Sequence, residues 1–208
     1  MKKVHSYRTI SSPSEGLYTE KRSKFISHAL PVSSESEAMV LIDEFRKKYY
    51  DARHVCWAYR VGKYEMEERA NDDGEPSSTA GKPILGQIHS HELTDVLIIV
   101  IRYFGGVKLG TGGLITAYKS AAAEAIHNNT IEERILYTRF KLQFPFDLIN
   151  PVMMLLKNHD AETIGNDADV NGHIWIVRVS NAIVDEFEAA AEALYQLRLE
   201  EIDDEDEG

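Results

Sequence analysis

Two stretches of the chain gather residues able to do chemistry. The first, Gly105-Gly106-Val107-Lys108-Leu109-Gly110-Thr111-Gly112-Gly113, is the most glycine-rich segment and opens into an alanine-rich stretch at 114–127. Glycine lets the backbone take positive φ and lets a ligand come close to the N–H groups. A helix starting behind such a loop adds unpaired donors and the positive end of its dipole, which suits an anion such as phosphate. Arg102 and Lys108 flank the loop and can complete the charge pairing. The expected anion-binding set is therefore Arg102, Gly105, Gly106, Lys108, Gly110, Gly112 and Gly113. The competing use of these glycines is close strand–helix packing. No Gly-Lys-Ser/Thr ends the loop, and a dinucleotide fingerprint lacks its spacing and ribose-binding acid, so both nucleotide motifs are excluded.

The second stretch, Asp72-Asp73-Gly74-Glu75-Pro76, holds three carboxylates within four residues. They can take up Mg²⁺, which needs one or two carboxylates and keeps several waters. They can equally cap a following helix, accept from basic groups, or stay solvated in an Asp-Gly turn, the commoner use of that dipeptide. Lys82, just beyond, brings another cation toward the same place.

Other candidates have simpler uses. Cys56 is the single cysteine, so neither an internal disulfide nor a cysteine zinc cage can form. Between Val55 and Trp57 it reads as a small buried hydrophobe. His89 and His91 stand two apart and point to different helix faces, unlike a metal pair. Arg46-Lys47-Lys48 ends a helix, where cations suit the dipole. Trp57, Tyr59, Tyr103 and Phe104 lie on apolar strands and read as core rather than stacking platforms. No Ser-His-Asp set, His-Glu-x-x-His helix or kinase motif is present, so nothing compels an enzyme and no cofactor is expected.

The elements that must position these residues follow from periodicity. Lys24–Val32 and His54–Val61 alternate as strands, with Val55, Trp57, Tyr59 and Val61 on one side. Ser33-Ser34 with Glu35 and Glu37 starts a helix whose face is Met39, Leu41, Ile42 and Phe45. Residues 66–69 read as a returning strand, 71–83 as a loop and 84–91 as a short helix. Residues 95–104 form a strand covered on both faces. A second cycle then runs strand (136–146), helix (148–158), a hairpin around Asn171-Gly172, helix (181–197) and a final strand at 198–202. That order is a split βαβ, ferredoxin-like sandwich.

The fold class expected is α+β in two domains, 1–135 and 136–199, with an acidic tail at 200–208. Residues 1–135 carry 18 basic and 18 acidic side chains, whereas 136–208 carry 5 and 16. The whole net charge of −11 thus lies in the last third, and the tail, with seven acids from Glu200 to Glu207, is expected to fray in solvent. On that charge the second domain is expected to turn away from phosphate or to face a basic ribosomal protein. No apolar run nears the ~18 residues needed to span a bilayer, and the first residues lack the apolar stretch of a secretory signal. A cytoplasmic protein without membrane contact is expected.

Taken together, Asp72-Asp-Gly-Glu-Pro-Ser-Ser-Thr-Ala-Gly-Lys-Pro-Ile-Leu and Val100-Ile-Arg-Tyr-Phe-Gly-Gly-Val-Lys-Leu-Gly-Thr-Gly-Gly-Leu, followed by Ala117-Tyr118, resemble the YigZ/Impact family. The resemblance covers roughly 17–127, and the second domain is similar to the ferredoxin-like module of bacterial members. It implies an N-terminal ribosomal-protein-like α/β sandwich, a fold shared with domain IV of elongation factor G, and a C-terminal module like domain V. Through it the expected partner is RNA, the ribosome or a translation-associated protein, since the eukaryotic Impact protein regulates translation in a stress response. Thr116 departs from the family, where a basic residue often precedes Ala-Tyr. The function expected is a non-enzymatic regulator of translation or stress response that binds through the glycine loop. The alternatives are an enzyme or sensor holding a small phosphorylated ligand with Mg²⁺ there, and a protein adaptor whose loop is structural.

Overall fold

Residues that alternate between two separate cores build the strands of the first two-thirds of the chain. The computed structural model describes residues 4–202. Its elements begin with β1 (Ser6–Ile10), β2 (Ser14–Glu20), β3 (Ser23–Pro31), α1 (Glu35–Lys48), β4 (His54–Val61) and β5 (Glu67–Asn71). They continue with α2 (Gly81–Ser90), β6 (Val96–Tyr103), α3 (Gly110–His127) and β7 (Ile131–Ile135). Five strands form an antiparallel sheet in the order β2-β3-β6-β4-β5, while β1 and β7 pair separately.

Helices cover both faces of that sheet. Cys56, Ala58, Ile98 and Val100 turn toward α2 and α3, meeting Ile84, Ile88, Ala117, Tyr118 and Ala121. Val55, Trp57, Tyr59, Leu97, Ile99 and Ile101 turn to the other face, where Ala38 and Ile42 of α1 meet them. The apolar run in β6 is continuous because neither of its faces sees water. Helix α1 begins as its residues dictate: Ser34 accepts from the Glu37 amide at 3.3 Å, and the Glu37 carboxylate accepts from the Ser33 amide at 2.7 Å. Arg46, Lys47 and Lys48 fall in its last turn.

The chain then forms β8 (Tyr137–Phe144), a 3₁₀ turn (Phe146–Leu148), α4 (Ile149–Asn158), β9 (Glu162–Asp169), β10 (Gly172–Ser180), α5 (Val184–Glu192) and β11 (Arg198–Ile202). Their antiparallel order β11-β8-β10-β9 is the ferredoxin-like βαββαβ arrangement. Phe140, Leu142, Val177 and Val179 pack with Val152, Leu155 and Phe187. The β9–β10 turn is closed by Asp169, whose carboxylate accepts from the amides of Asn171 and Gly172 at 2.7 and 3.1 Å. Asn171 keeps a negative φ there.

Tyr7–Arg134 forms one compact unit, and among the described residues 4–6 join 135–202 in the other. Within the latter, Leu136 donates to the His5 carbonyl and Asn181 to that of Val4. Several boundaries differ from expectation. Strands β1, β2 and β7 add to the expected set, and α2 and α3 start at Gly81 and Gly110, inside the stretches expected as loops. Asn181 stays outside α5 because its buried amide bridges Thr138 and Val4. Glu200 and Glu201, expected in a frayed tail, belong to β11, opposite Lys141 and Phe140. Residues 203–208 of that tail lie outside the described residues.

Candidate anion-binding cleft

Strand β6 brings the two chemical stretches together. Asp72–Pro76 lies between β5 and α2, the glycine segment leaves the end of β6, and β4 pairs directly with both strands. A cleft of ≈ 470 Å³ lies where they meet, lined among others by His54, Glu75, Arg102, Lys108, Gly110 and Thr111.

The three carboxylates diverge, because Asp73 and Gly74 both take left-handed backbone (φ 43° and 82°) and turn the chain between them. Asp72 accepts from three backbone amides, Ser78 at 2.7 Å, Ala80 at 2.9 Å and Gly81 at 2.8 Å. It thereby caps α2 from outside, since Ala80 at the helix start has no side-chain acceptor. Asp73 accepts from the Val55 amide at 2.6 Å and pairs with Arg46 at 2.8 Å. Glu75 is buried and pairs with Arg102. Its Oε1 also accepts from the Tyr118 hydroxyl at 2.9 Å. No group of three or more His, Cys, Asp or Glu side chains is placed to hold a metal ion among the described residues.

Arg102 is fixed by that pairing, with a side chain only 8% exposed. Its Nε is buried and has no hydrogen-bond partner. His54 sits on the same wall. Its Nδ1 lies 2.7 Å from the Asp73 carbonyl, which can only accept, so Nδ1 carries the proton. That leaves Nε2 3.8 Å from Glu75 Oε1. Behind the wall, the Cys56 thiol lies 3.0 Å from the Asp72 carbonyl and 3.3 Å from the Tyr118 hydroxyl. Burial pushes the thiol and the phenol well above their usual ranges, so neither is a nucleophile at neutral pH.

The glycines divide by job. A Cβ on Gly105 would sit 2.1 Å from the Arg22 carbonyl carbon, so this position serves close packing of the loop on the β2–β3 turn. Gly106 and Gly110 take positive φ, 86° and 74°, with open space around them. Gly110, Gly112 and Gly113 lie in the first turn of α3, whose cap position, Leu109, supplies no side-chain acceptor. Gly110 and Thr111, which open this 18-residue helix, line the cleft, and its first amides have no side-chain cap from Leu109. Thr116 is exposed and turns its hydroxyl back to the Gly112 carbonyl at 3.1 Å.

Of the expected set, Arg102, Glu75, Lys108 and Gly110 line the cleft, and Lys82 stands exposed on α2 outside its lining. Arg53, His54 and Phe104 line it as well, although the sequence pattern singles out neither Arg53 nor His54. Phe104, expected in the core, is a correction: β6 ends at Tyr103 and the ring is 46% exposed. Trp57 and Tyr59 are buried, as core residues of β4 must be.

Residues 21–126 match the Impact N-terminal domain. The chain is 42% identical over 133 residues to IMPACT family member YvyE of Bacillus subtilis (strain 168), a match spanning 64% of this chain and 61% of that protein. An IMPACT family member of Haemophilus influenzae is 31% identical over 169 residues, 80% of this chain and 82% of its own length. The solved structure of a hypothetical protein superposes with a TM-score of 0.64 at 29% identity, over 97% of this chain and 99% of that one.

Proposed function

The chain belongs to the Impact family, and from that premise we propose that it is a non-enzymatic, cytoplasmic RNA-binding protein acting on translation. It seats an RNA phosphate in the cleft between Asp72–Pro76 and the start of α3. One observation carries this reading: the glycine-rich first turn of α3, which has no side-chain cap at Leu109, lies with Arg53 and Lys108 along one cleft. Glu75, the one carboxylate in its lining among the described residues, is already neutralised by Arg102. Backbone amides at a helix start and guanidinium groups are the donors that phosphate takes. A Mg²⁺-dependent small ligand finds no support in the carboxylates, each of which already serves an amide, an arginine or a tyrosine.

Co-sedimentation with ribosomes and with free RNA, at low and moderate salt, tests the proposal on wild type and an Arg53→Ala/Lys108→Ala variant. Both side chains are exposed at the cleft rim, so the variant keeps the fold. Wild-type binding should weaken steeply with salt, because each phosphate that the protein neutralises releases counterions. The variant should bind about tenfold more weakly. Its salt slope should be shallower by roughly 0.7 for each phosphate of a single strand that is no longer neutralised. Binding indifferent to salt and to the variant would instead point to a protein surface and overturn the proposal.

A second result separates ligand approach from folding. A Cβ at Gly112 in α3, or at Gly86 in α2, would meet nothing within 4 Å. Glycine in a helix costs about 1 kcal/mol relative to alanine. Gly112→Ala and Gly86→Ala should therefore each raise stability by about 0.5–1 kcal/mol in thermal melts. Only Gly112→Ala, beside the uncapped amides, should weaken RNA binding.

A further inference from the structure

We infer that the nucleotide held at this cleft is unpaired and stacks its base on Phe104, so that the site selects single-stranded over duplex RNA. The inference rests on the phosphate reading above and adds to it the class of nucleic acid. Phe104 continues an apolar run, but the strand stops one residue earlier and leaves its ring at the cleft. The Arg102 guanidinium lies 5.6 Å from the Phe104 ring centroid and 5.5 Å from that of Phe25. Arg102 is itself fixed by Glu75, so the ring has a rigid support on one side and is open on the other. Pro76, Leu109 and Leu114 supply apolar wall around it.

An exposed aromatic beside phosphate donors is the arrangement by which single strands are bound without base reading. A duplex offers the phosphate but keeps its bases stacked on one another, so the ring gains nothing from it. The cleft volume falls in the range of small-ligand sites, with room for one nucleotide. Arg53 and Lys108 at the rim supply the charge that the adjoining phosphates require.

Fluorescence anisotropy with a short unstructured RNA, free or annealed to its complement, decides the matter for wild type, Phe104→Leu and Phe104→Trp. Thermal melts check that the variants fold. Wild type should prefer the single strand by about tenfold, a loss of one base–aromatic stack being of that order. Phe104→Leu should lose the preference while duplex binding holds. Phe104→Trp should keep it and change its indole emission on binding. Equal wild-type binding of both forms, or a Phe104→Leu variant that binds as wild type or loses both forms alike, would overturn the inference and leave the phosphate site standing. Failure of wild type to bind either form would remove the phosphate reading itself.

Discussion

Replacing Arg102 by alanine is expected to lower the stability of the Tyr7–Arg134 unit by about 3–5 kcal/mol, the usual loss when one partner of a buried ion pair is removed. The loss comes from the group left behind. Glu75 has a side chain only 4% exposed, and without Arg102 its neighbours are the Tyr118 hydroxyl and His54. One neutral donor does not offset a desolvated carboxylate. Urea unfolding would report the loss as a lower midpoint at unchanged slope. Arg102→Met combined with Glu75→Gln should recover most of it, since the pair is then replaced by groups of similar volume and Tyr118 still finds a carbonyl. An Arg102→Ala loss below about 1 kcal/mol would mean that the pair is solvated, as surface pairs of that strength are. The same expectation bears on function: lost RNA binding in Arg102→Ala would follow from damage to the wall, whereas Arg53 and Lys108 can be removed without it.

What the sequence made legible depended on whether a residue's partner was near it in the chain. Val55, Trp57, Tyr59 and Val61 could be assigned to one side because alternation is local, and the helix start at Ser34 because cap and acceptor lie within four residues. The edge strand β2 carried no such signal. It buries Gly16, where a Cβ would lie 2.5 Å from the Ala125 amide, and it leaves Leu17 exposed. Close approach to a helix thus joins the packing of Tyr18 against the core in holding the strand in place. Helix α3 begins four residues before its apolar periodicity does, because Leu114, Ala117, Tyr118 and Ala121 bury enough surface to carry a glycine-rich first turn.

The candidate site shows the same division. The charges of Arg102, Lys108 and Asp72–Glu75 were visible, but the pairings of Asp73 with Val55 and of Arg102 with Glu75 span 18 and 27 positions. Arg53 precedes β4 and His54 opens it, and they form no cluster in the chain, so nothing marked them. Phe104 did leave a signal. Counting by twos from Val96 puts Ile98, Val100 and Arg102 on one side of β6 with Phe104 next in the series just past its end, and an arginine in that series already announced a polar opening there. The acidic composition of the last third says nothing of where its charges lie. Composition has no direction, whereas the pleat does: Arg139, Lys141, Arg178 and Arg198, four of the five basic residues there, all lie on sheet strands.

Replacing Asp72 by alanine should cost about 3 kcal/mol, because one carboxylate serves three amides that have no other acceptor nearby. A conventional cap is worth about 1 kcal/mol, and bonds to a charged acceptor are stronger. Asp72 also holds the 72–80 loop against the start of α2, so the loss includes the backbone that this bond pattern orders. Asp72→Asn separates charge from shape. Its carbonyl oxygen can keep the Ala80 and Gly81 amides, but its NH₂ group then faces the Ser78 N–H, so roughly half the loss should remain. Hydrogen exchange gives the site-specific readout: the amides of Ser78, Ala80 and Gly81 should lose protection in Asp72→Ala well before the rest of α2 does. If Asp72 instead served a cation, Mg²⁺ would raise the wild-type melting temperature and Asp72→Asn would abolish the rise while leaving those three amides protected. The two roles make opposite demands on the same oxygens, since a carboxylate that already accepts three N–H bonds has little lone-pair capacity left for a metal.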